Sequence, residues 1–599
     1  MKKAWDLVIR GGTVVDGSGA APFRADVAVK DGLIARIGEI AGRGAEEIDA
    51  AGKIVTPGFV DIHTHYDGQA TWDHHMQPSA WHGVTTVVMG NCGVGFAPCK
   101  VEDHDRLLRL MEGVEDIPFP VLTQGLPWNW ESFPDYLDSL DKRAFDVDIG
   151  AQLPHAALRV FVMGERGANR EDASEADIHA MAAIAKRAME AGALGFSTSR
   201  TLNHRTSDGQ PTPTLTASED ELSGIAMGLA AAGKGTLQFV SDFADPEAEF
   251  AMLRRLVERS GRPLSFSLVQ SPRDPDQWKL LLERLAQAND AGLPMRAQVA
   301  GRPVGILFGF ELTLNPFSAY PTYQAIAKLP LAERLANLRD PEFRARLLAD
   351  GALGGPGFAA NMTRNWSIMF LMGEEPDYEQ TPDRTIAALA AAQGTTPEEL
   401  ALDHMLSNGG KSMLYLPFLN YANGSLDPSH AMLNHPNTVP GLSDGGAHVG
   451  MICDGSFPTS NLTLWTRDRT RGPRLALEAM IKMQTHDTAR AVGLHDRGLI
   501  AEGYRADLNV IDYENLNLKA PAVAYDLPAG GRRLVQRADG YVATIVAGQV
   551  TYRDGEPPAP CPAACCGERR PRRSPWPRSR LFRSPSWTGM AMYRPCLLR

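Results

Sequence analysis

Cysteine is scarce in this chain of 599 residues: there are seven, and Cys561, Cys565, Cys566 and Cys596 all lie close to its C-terminus. Cys92, Cys99 and Cys453 are left for the body, too few and too irregularly spaced to frame a disulfide-held domain, so a reducing cytoplasm is the expected compartment. Long apolar runs are also absent; none reaches the roughly 20 residues that span a bilayer. Asp6 and Arg10 interrupt the apolar start of "MKKAWDLVIRGG", which reads as a strand and not as a secretion signal. There is no phosphate-binding loop, since "GGPG" lacks the Lys-Ser/Thr that would follow, and "DGSFP" does not form a nucleophile elbow. No paired-thiol zinc finger is present. The body is poor in basic charge: the formal net charge is −11, but after Glu556 nine arginines face only Glu568, so that tail carries +8 and the rest −19. A nucleic acid or an anionic membrane is therefore not an expected partner.

What is there suits a large globular protein, 44% hydrophobic and 22% charged. The first 56 residues alternate β-rich runs with Gly-Gly, Asp-Gly and Pro-Gly turns, which predicts a small antiparallel unit. Residues 495–556 repeat that style, and "VIRGGTVVDG" and "TIVAGQVTYRDG" are similar enough to suggest one β-sandwich domain built from both ends. Between them, over residues 57–494, short apolar runs alternate with amphipathic stretches such as "SEADIHAMAAIAKRAMEAG". That rhythm predicts an α/β fold, a (β/α)8 TIM-like barrel with its active groups at the C-terminal ends of the strands. The rhythm breaks from about Phe308 to Trp366, as an insertion near the active face would do. Residues 557–599, rich in Pro, Arg, Ser and Cys without periodicity, are expected to be disordered; a shifted reading frame or a basic binding tail would each explain the change in composition.

"VDIHTHYDG" places His63 and His65 two residues apart at the end of an apolar run. Taken alone, such a pair is more often incidental than ligating. On a strand, however, residues i and i+2 share a face, so both imidazoles can converge on one ion, and a barrel strand end is where ligands belong. Asp61 and the "YDG" turn add oxygens that would orient the imidazoles from behind.

Together with "GVTTVVMGNCG", "AGALGFSTSR", "GLSDGGAH" and "YDLPAGGRRLVQRADGYVATIVAGQV", this motif resembles the amidohydrolase superfamily, in its N-acyl-D-amino-acid deacylase (D-aminoacylase) branch, over roughly residues 5–555. The resemblance implies hydrolysis of a non-peptide amide of a small molecule, by metal ligation through His63, His65, Cys92 and Asp444, with Asp444 also the catalytic proton acceptor. Zinc takes imidazole, thiolate and carboxylate together. As structural alternatives, Cys92 reads as an ordinary buried cysteine and Asp444 as a turn residue beside two glycines.

The chain departs from the family at the fifth and sixth strands, "GTLQFVSDF" and "PLSFSLVQS", where two further metal-binding histidines are implied and Val240 and Leu268 stand instead. A mononuclear zinc site follows as the expectation, with the second site lost; Asp242 or Gln270 as replacement ligands, or a barrel that binds without catalysing, are the alternatives. Arg200, His204 and His448 are the candidate substrate-binding residues, although Arg200 reads equally well as an anchor of its own loop. His82 and His435 lie near the motifs without an assigned role, and the adjacent His74 and His75 are not proposed as ligands. A cyclic-amide or dipeptide hydrolase of the same superfamily is the alternative activity.

Overall fold

The computed structural model describes residues 4–350 and 362–558. Eight parallel strands run in sequence order, Phe59–Asp61, Val84–Met89, Asp148–Pro154, Gly195–Arg200, Thr236–Ser241, Leu264–Leu268, Met295–Val299 and Thr438–Pro440. Each pairs with the next in parallel register. The ring closes between first and last, through a parallel bridge of Thr64 to Gly445 and the bonds His65 N–H to Gly445 O (2.8 Å) and Asp444 N–H to His63 O (3.1 Å). The fold is the expected parallel barrel.

The outer helices follow from their sequences. Glu175–Ala191 starts at Ser174, whose hydroxyl accepts from Asp177 N–H while Asp177 reaches back to the Ser174 amide, and it stops at Gly192. Met181, Ile184, Ala185, Ala188 and Met189 recur at helical spacing and are buried against the strands. The fourth strand then follows at Gly195.

The two chain ends form one continuous sheet: Gln549–Arg553, Tyr541–Val546, Leu508–Ile511, Ile54–Pro57, Trp5–Val14, Phe23–Lys30 and Leu33–Gly38, with Gly44–Asp49 beside Trp5–Val14. Leu7, Ile9, Val27, Val29, Val55, Leu508, Val510 and Ile545 make its core. It is not wholly antiparallel as expected. The first strand carries a register shift between Ile9 and Gly12, so its first half pairs in parallel with Gly44–Asp49 and its second half with Ile54–Pro57.

Between the seventh and eighth barrel strands the chain builds a separate layer. Val304–Phe308, Phe370–Leu371 and Leu414–Leu419 form a three-stranded antiparallel sheet. Its helices pack on a core that includes Phe308, Phe317, Tyr323, Leu338, Ile386 and Leu402. This insertion runs from Val304 to Leu419, well past the stretch of 308–366 expected from sequence. The antiparallel pairing of Leu414–Leu419 with Val304–Phe308 is not visible in an apolar run alone. Of the C-terminal tail, residues 559–599 lie outside the described residues.

Barrel and sheet are joined at the N-terminal rim by buried charge. Arg497, 1% exposed, donates to Asp148 Oδ2 (2.8 Å) and Thr86 Oγ1 (2.9 Å), and Arg505 donates to Asp148 Oδ1 (2.8 Å). Arg497→Met strips one partner from a fully buried carboxylate and is expected to destabilise the protein by about 3–5 kcal/mol. A lowered urea midpoint with secondary structure retained checks this; an unchanged midpoint would contradict it.

Candidate metal centre

The first barrel strand delivers His63 and His65 just past its end, and the turn after the second strand delivers Cys92. That turn, "GNCG", is tightly packed: a Cβ on Gly90 would lie 2.3 Å from Gln152 O, and one on Gly93 would lie 2.9 Å from Thr198 Cα. Gly93 N–H donates to Ser197 Oγ (2.9 Å) and Cys92 N–H to Gln238 Oε1 (3.2 Å). Cys92, Asp444 and His448 all adopt left-handed backbone (φ 55°, 48° and 50°), a conformation that side-chain-bearing residues hold at a cost of about 1–3 kcal/mol and that concentrates at functional sites.

His63, His65 and Cys92 place their ligand atoms mutually within 4.8 Å, all three buried. His63 Nε2 lies 3.3 Å from Cys92 Sγ. Asp444 Oδ1 approaches both imidazoles, 3.4 Å from His63 Nε2 and 3.6 Å from His65 Nε2, and has no hydrogen-bond partner in the described structure. Two imidazoles, a thiol and a carboxylate oxygen, buried and turned toward one another, fit a divalent ion of the zinc type. The four residues expected from sequence do meet.

Their electrostatics follow from burial and from one another, and His65 has a proton to lose before it can ligate. Burial pushes the Cys92 thiol up to about 12, so it needs a cation to ionise. Burial takes His63 down to about 4, leaving it neutral with a lone pair to offer. For His65 burial acts downward, but Glu115, Asp444 and Cys92 around it raise it well above the ordinary value. Burial alone would raise Asp444, yet His65, His63 and His448 hold it far below the usual carboxylate range.

The groups behind the imidazoles are not those read from sequence. Asp61 accepts from His63 N–H (3.3 Å) and from Ser443, and Asp67 accepts from Gly90 N–H (3.1 Å), so both brace backbone. His63 Nδ1 instead meets Gln298 Oε1 at 2.6 Å, on the seventh strand. His65 Nδ1 faces Glu115 Oε1 at 3.2 Å. Sequence reasoning missed both residues. The available signal for Glu115 was its place on the buried face of the helix His104–Glu115, seven residues after Leu108 and four after Met111.

Where the family's further histidines are implied, the structure has none. Val240 lies two residues beyond Gln238 and so shares its inward face. It stands one residue past Phe239, which pairs with Phe266, so Ser267 is its neighbour and pairs in turn with Gln298. Ser267, not Leu268, therefore occupies the inward position on the sixth strand. Asp242 accepts from Leu202 N–H (2.8 Å), and Gln270 Oε1 accepts from Ala422 N–H (3.1 Å); neither belongs to the cluster.

Of the candidate substrate-binding residues, Arg200 is an anchor of its loop, donating to Glu249 Oε1 (2.6 Å) and Ala217 O (2.6 Å). His204 hydrogen-bonds Ser199 Oγ at 2.8 Å and is pushed down to about 3 by burial, then by His448 and His65. His448 Nε2 stands 3.9 Å from Asp444 Oδ2. His82 is structural, held by Thr459 Oγ1 (2.8 Å) and Gln536 O (2.9 Å), and His435 accepts from Asn437 N–H (3.2 Å) in the turn before the eighth strand. A narrow pocket beside Asp444 is lined by Gln69, Cys453, Asp454, Arg533 and Leu534 among others.

The chain has known relatives in sequence and in fold. The sequence is 28% identical to an N-acyl-D-aspartate deacylase of Alcaligenes xylosoxydans xylosoxydans over 85% of this chain and 86% of that one. It is 27% identical to an uncharacterised protein of Mycobacterium tuberculosis over 92% of each. A solved D-aminoacylase superposes with TM-score 0.60 at 23% identity, covering 93% of this chain and 98% of that one. An N-acyl-D-glutamate deacylase from Bordetella bronchiseptica, solved with zinc and a phosphonate inhibitor, gives TM-score 0.59 at 23% identity over the same shares. The profile of the amidohydrolase family matches residues 46–552, and the chain belongs to that family, in its D-aminoacylase-like branch.

Proposed function

We propose that the protein hydrolyses the amide of an N-acyl-D-amino acid, releasing a carboxylate and a free D-amino acid, with one zinc ion held by His63, His65, Cys92 and Asp444. The observation that carries this reading is the convergence of His63, His65 and Cys92 within 4.8 Å, with Asp444 at 3.4 and 3.6 Å from the two imidazoles. The deacylase relative that matches most of the chain supports the amide substrate.

A divalent ion in this cluster supplies positive charge, which acidifies water and draws on the electrons of an amide carbonyl. The protein's own part is proton handling and placement. Asp444 turns Oδ1 to the imidazole pair and Oδ2 toward His448. One oxygen would thus be left to hold a cation while the other would take the proton of the attacking water and pass it to the leaving nitrogen. Gln298 accepts the Nδ1 proton of His63 and so leaves Nε2 as the ligating atom.

Asp444→Asn is expected to lower kcat on the best N-acyl-D-amino acid by about 10²–10⁴-fold with the fold retained. Hydrolysis of N-acyl-L-amino acids alone, across matched D and L panels, would overturn the assigned substrate. Zinc titration gives a second expectation. The Cys92 thiol, at about 12, must lose its proton to ligate, so apparent zinc affinity falls as pH drops from 8.5 to 6.5, by about tenfold per unit for that proton. Cys92→Ser is expected to bind zinc more weakly and with a shallower dependence on pH. A second tight ion per chain, or an identical slope in the variant, would contradict the ligand set.

A further inference from the structure

Glu115 is a buried carboxylate that is not among the four ligands. It ends the helix His104–Glu115 on the face that buries Leu107, Leu108, Met111 and Val114, and its side chain is 1% exposed. Neither carboxylate oxygen has a hydrogen-bond partner that satisfies strict geometry. A buried, unpartnered carboxylate costs several kcal/mol, and at a helix C-terminus it also opposes the helix dipole.

The docking of the helix end does not depend on this side chain alone. The helix end is tied to the loop after Asp444 by other atoms: His448 N–H donates to the backbone carbonyl of Glu115, and Asp116 Oδ2 accepts from Gly450 N–H (3.0 Å) and Thr313 Oγ1 (3.1 Å). The side chain of Glu115 instead faces two imidazoles. Oε1 lies 3.2 Å from His65 Nδ1, itself buried without a hydrogen-bond partner, and Oε2 lies 3.6 Å from His448 Nε2. Beyond His448, the same Nε2 stands 3.9 Å from Asp444 Oδ2.

We propose that Glu115 is a positioning residue that serves both imidazoles at once, one carboxylate oxygen for each. Acceptance by Oε1 fixes the His65 proton on Nδ1 and leaves Nε2, the atom facing Asp444 Oδ1, free to ligate. The negative charge at Oε2, 3.6 Å from Nε2, draws the His448 ring to the side of the Asp444 oxygen that carries the proton. Glu115 thereby links ligand geometry to proton handling, and this role rests on the metal-hydrolase reading above.

Zinc affinity by chelator competition, without substrate, tests it in the full chain. Glu115→Ala is expected to weaken zinc binding by about 10–100-fold and to change the visible spectrum of the cobalt-substituted protein. Glu115→Gln keeps one acceptor and is expected to recover part of the affinity; it also decides the matter should the alanine variant fail to fold. At saturating zinc, Glu115→Ala and His448→Ala are each expected to lower kcat, and the double variant to be no worse than the poorer single one. Wild-type zinc affinity with an unaltered cobalt spectrum in both Glu115 variants would overturn the proposal while leaving the metal reading intact. Additive losses of kcat would overturn the His448 arm. A wild-type chain that binds no zinc would overturn both.

Discussion

The site depends on the closure of the barrel. Two main-chain hydrogen bonds, from Asp444 to His63 and from His65 to Gly445, join the first strand end to the last across almost 400 residues of chain. They bring a carboxylate and two imidazoles into contact without any side chain having to reach far. The left-handed turns at Cys92, Asp444 and His448 then aim those groups inward, and the surrounding strands hold the strain. Without closure the same residues would be scattered polar groups.

Closure also sets the electrostatic problem that the site solves. His63, His65, Cys92 and Glu115 are removed from bulk water, Asp444 only partly so, and several of their polar atoms have no hydrogen-bond partner. A thiol pushed up to about 12 beside a carboxylate held far below its usual range is poorly matched as a pair of isolated acids, but well matched as ligands of a shared cation. On the opposite wall, Val240 and Ser267 offer nothing of the kind. The asymmetry between the two walls is the physical basis for proposing one ion and not two.

Much of this was legible in the sequence. The His-x-His pair, Cys92 in its glycine turn and Asp444 in "GLSDGGAH" are local patterns at strand ends, and alternation along a strand predicts where they point. The absence of histidine from the fifth and sixth strands was equally plain, although register was needed to show that Ser267 and not Leu268 faces inward. Glu115 and Gln298 were not legible, because each acts through a contact set by the packing of distant elements. Arg200 shows the converse: a suggestive residue near the mouth is neutralised by Glu249, 49 positions later. The insertion was underestimated because antiparallel pairing between Val304–Phe308 and Leu414–Leu419 joins segments more than a hundred residues apart.

The central claim is that one cation sits among two imidazoles, a thiolate and a carboxylate at the closure of the barrel. X-ray absorption at the zinc edge of the metal-loaded protein tests it most directly. The account predicts a first shell with a single sulfur at about 2.3 Å and nitrogen or oxygen neighbours at about 2.0–2.2 Å, from one ion per chain. A shell containing no sulfur would contradict it.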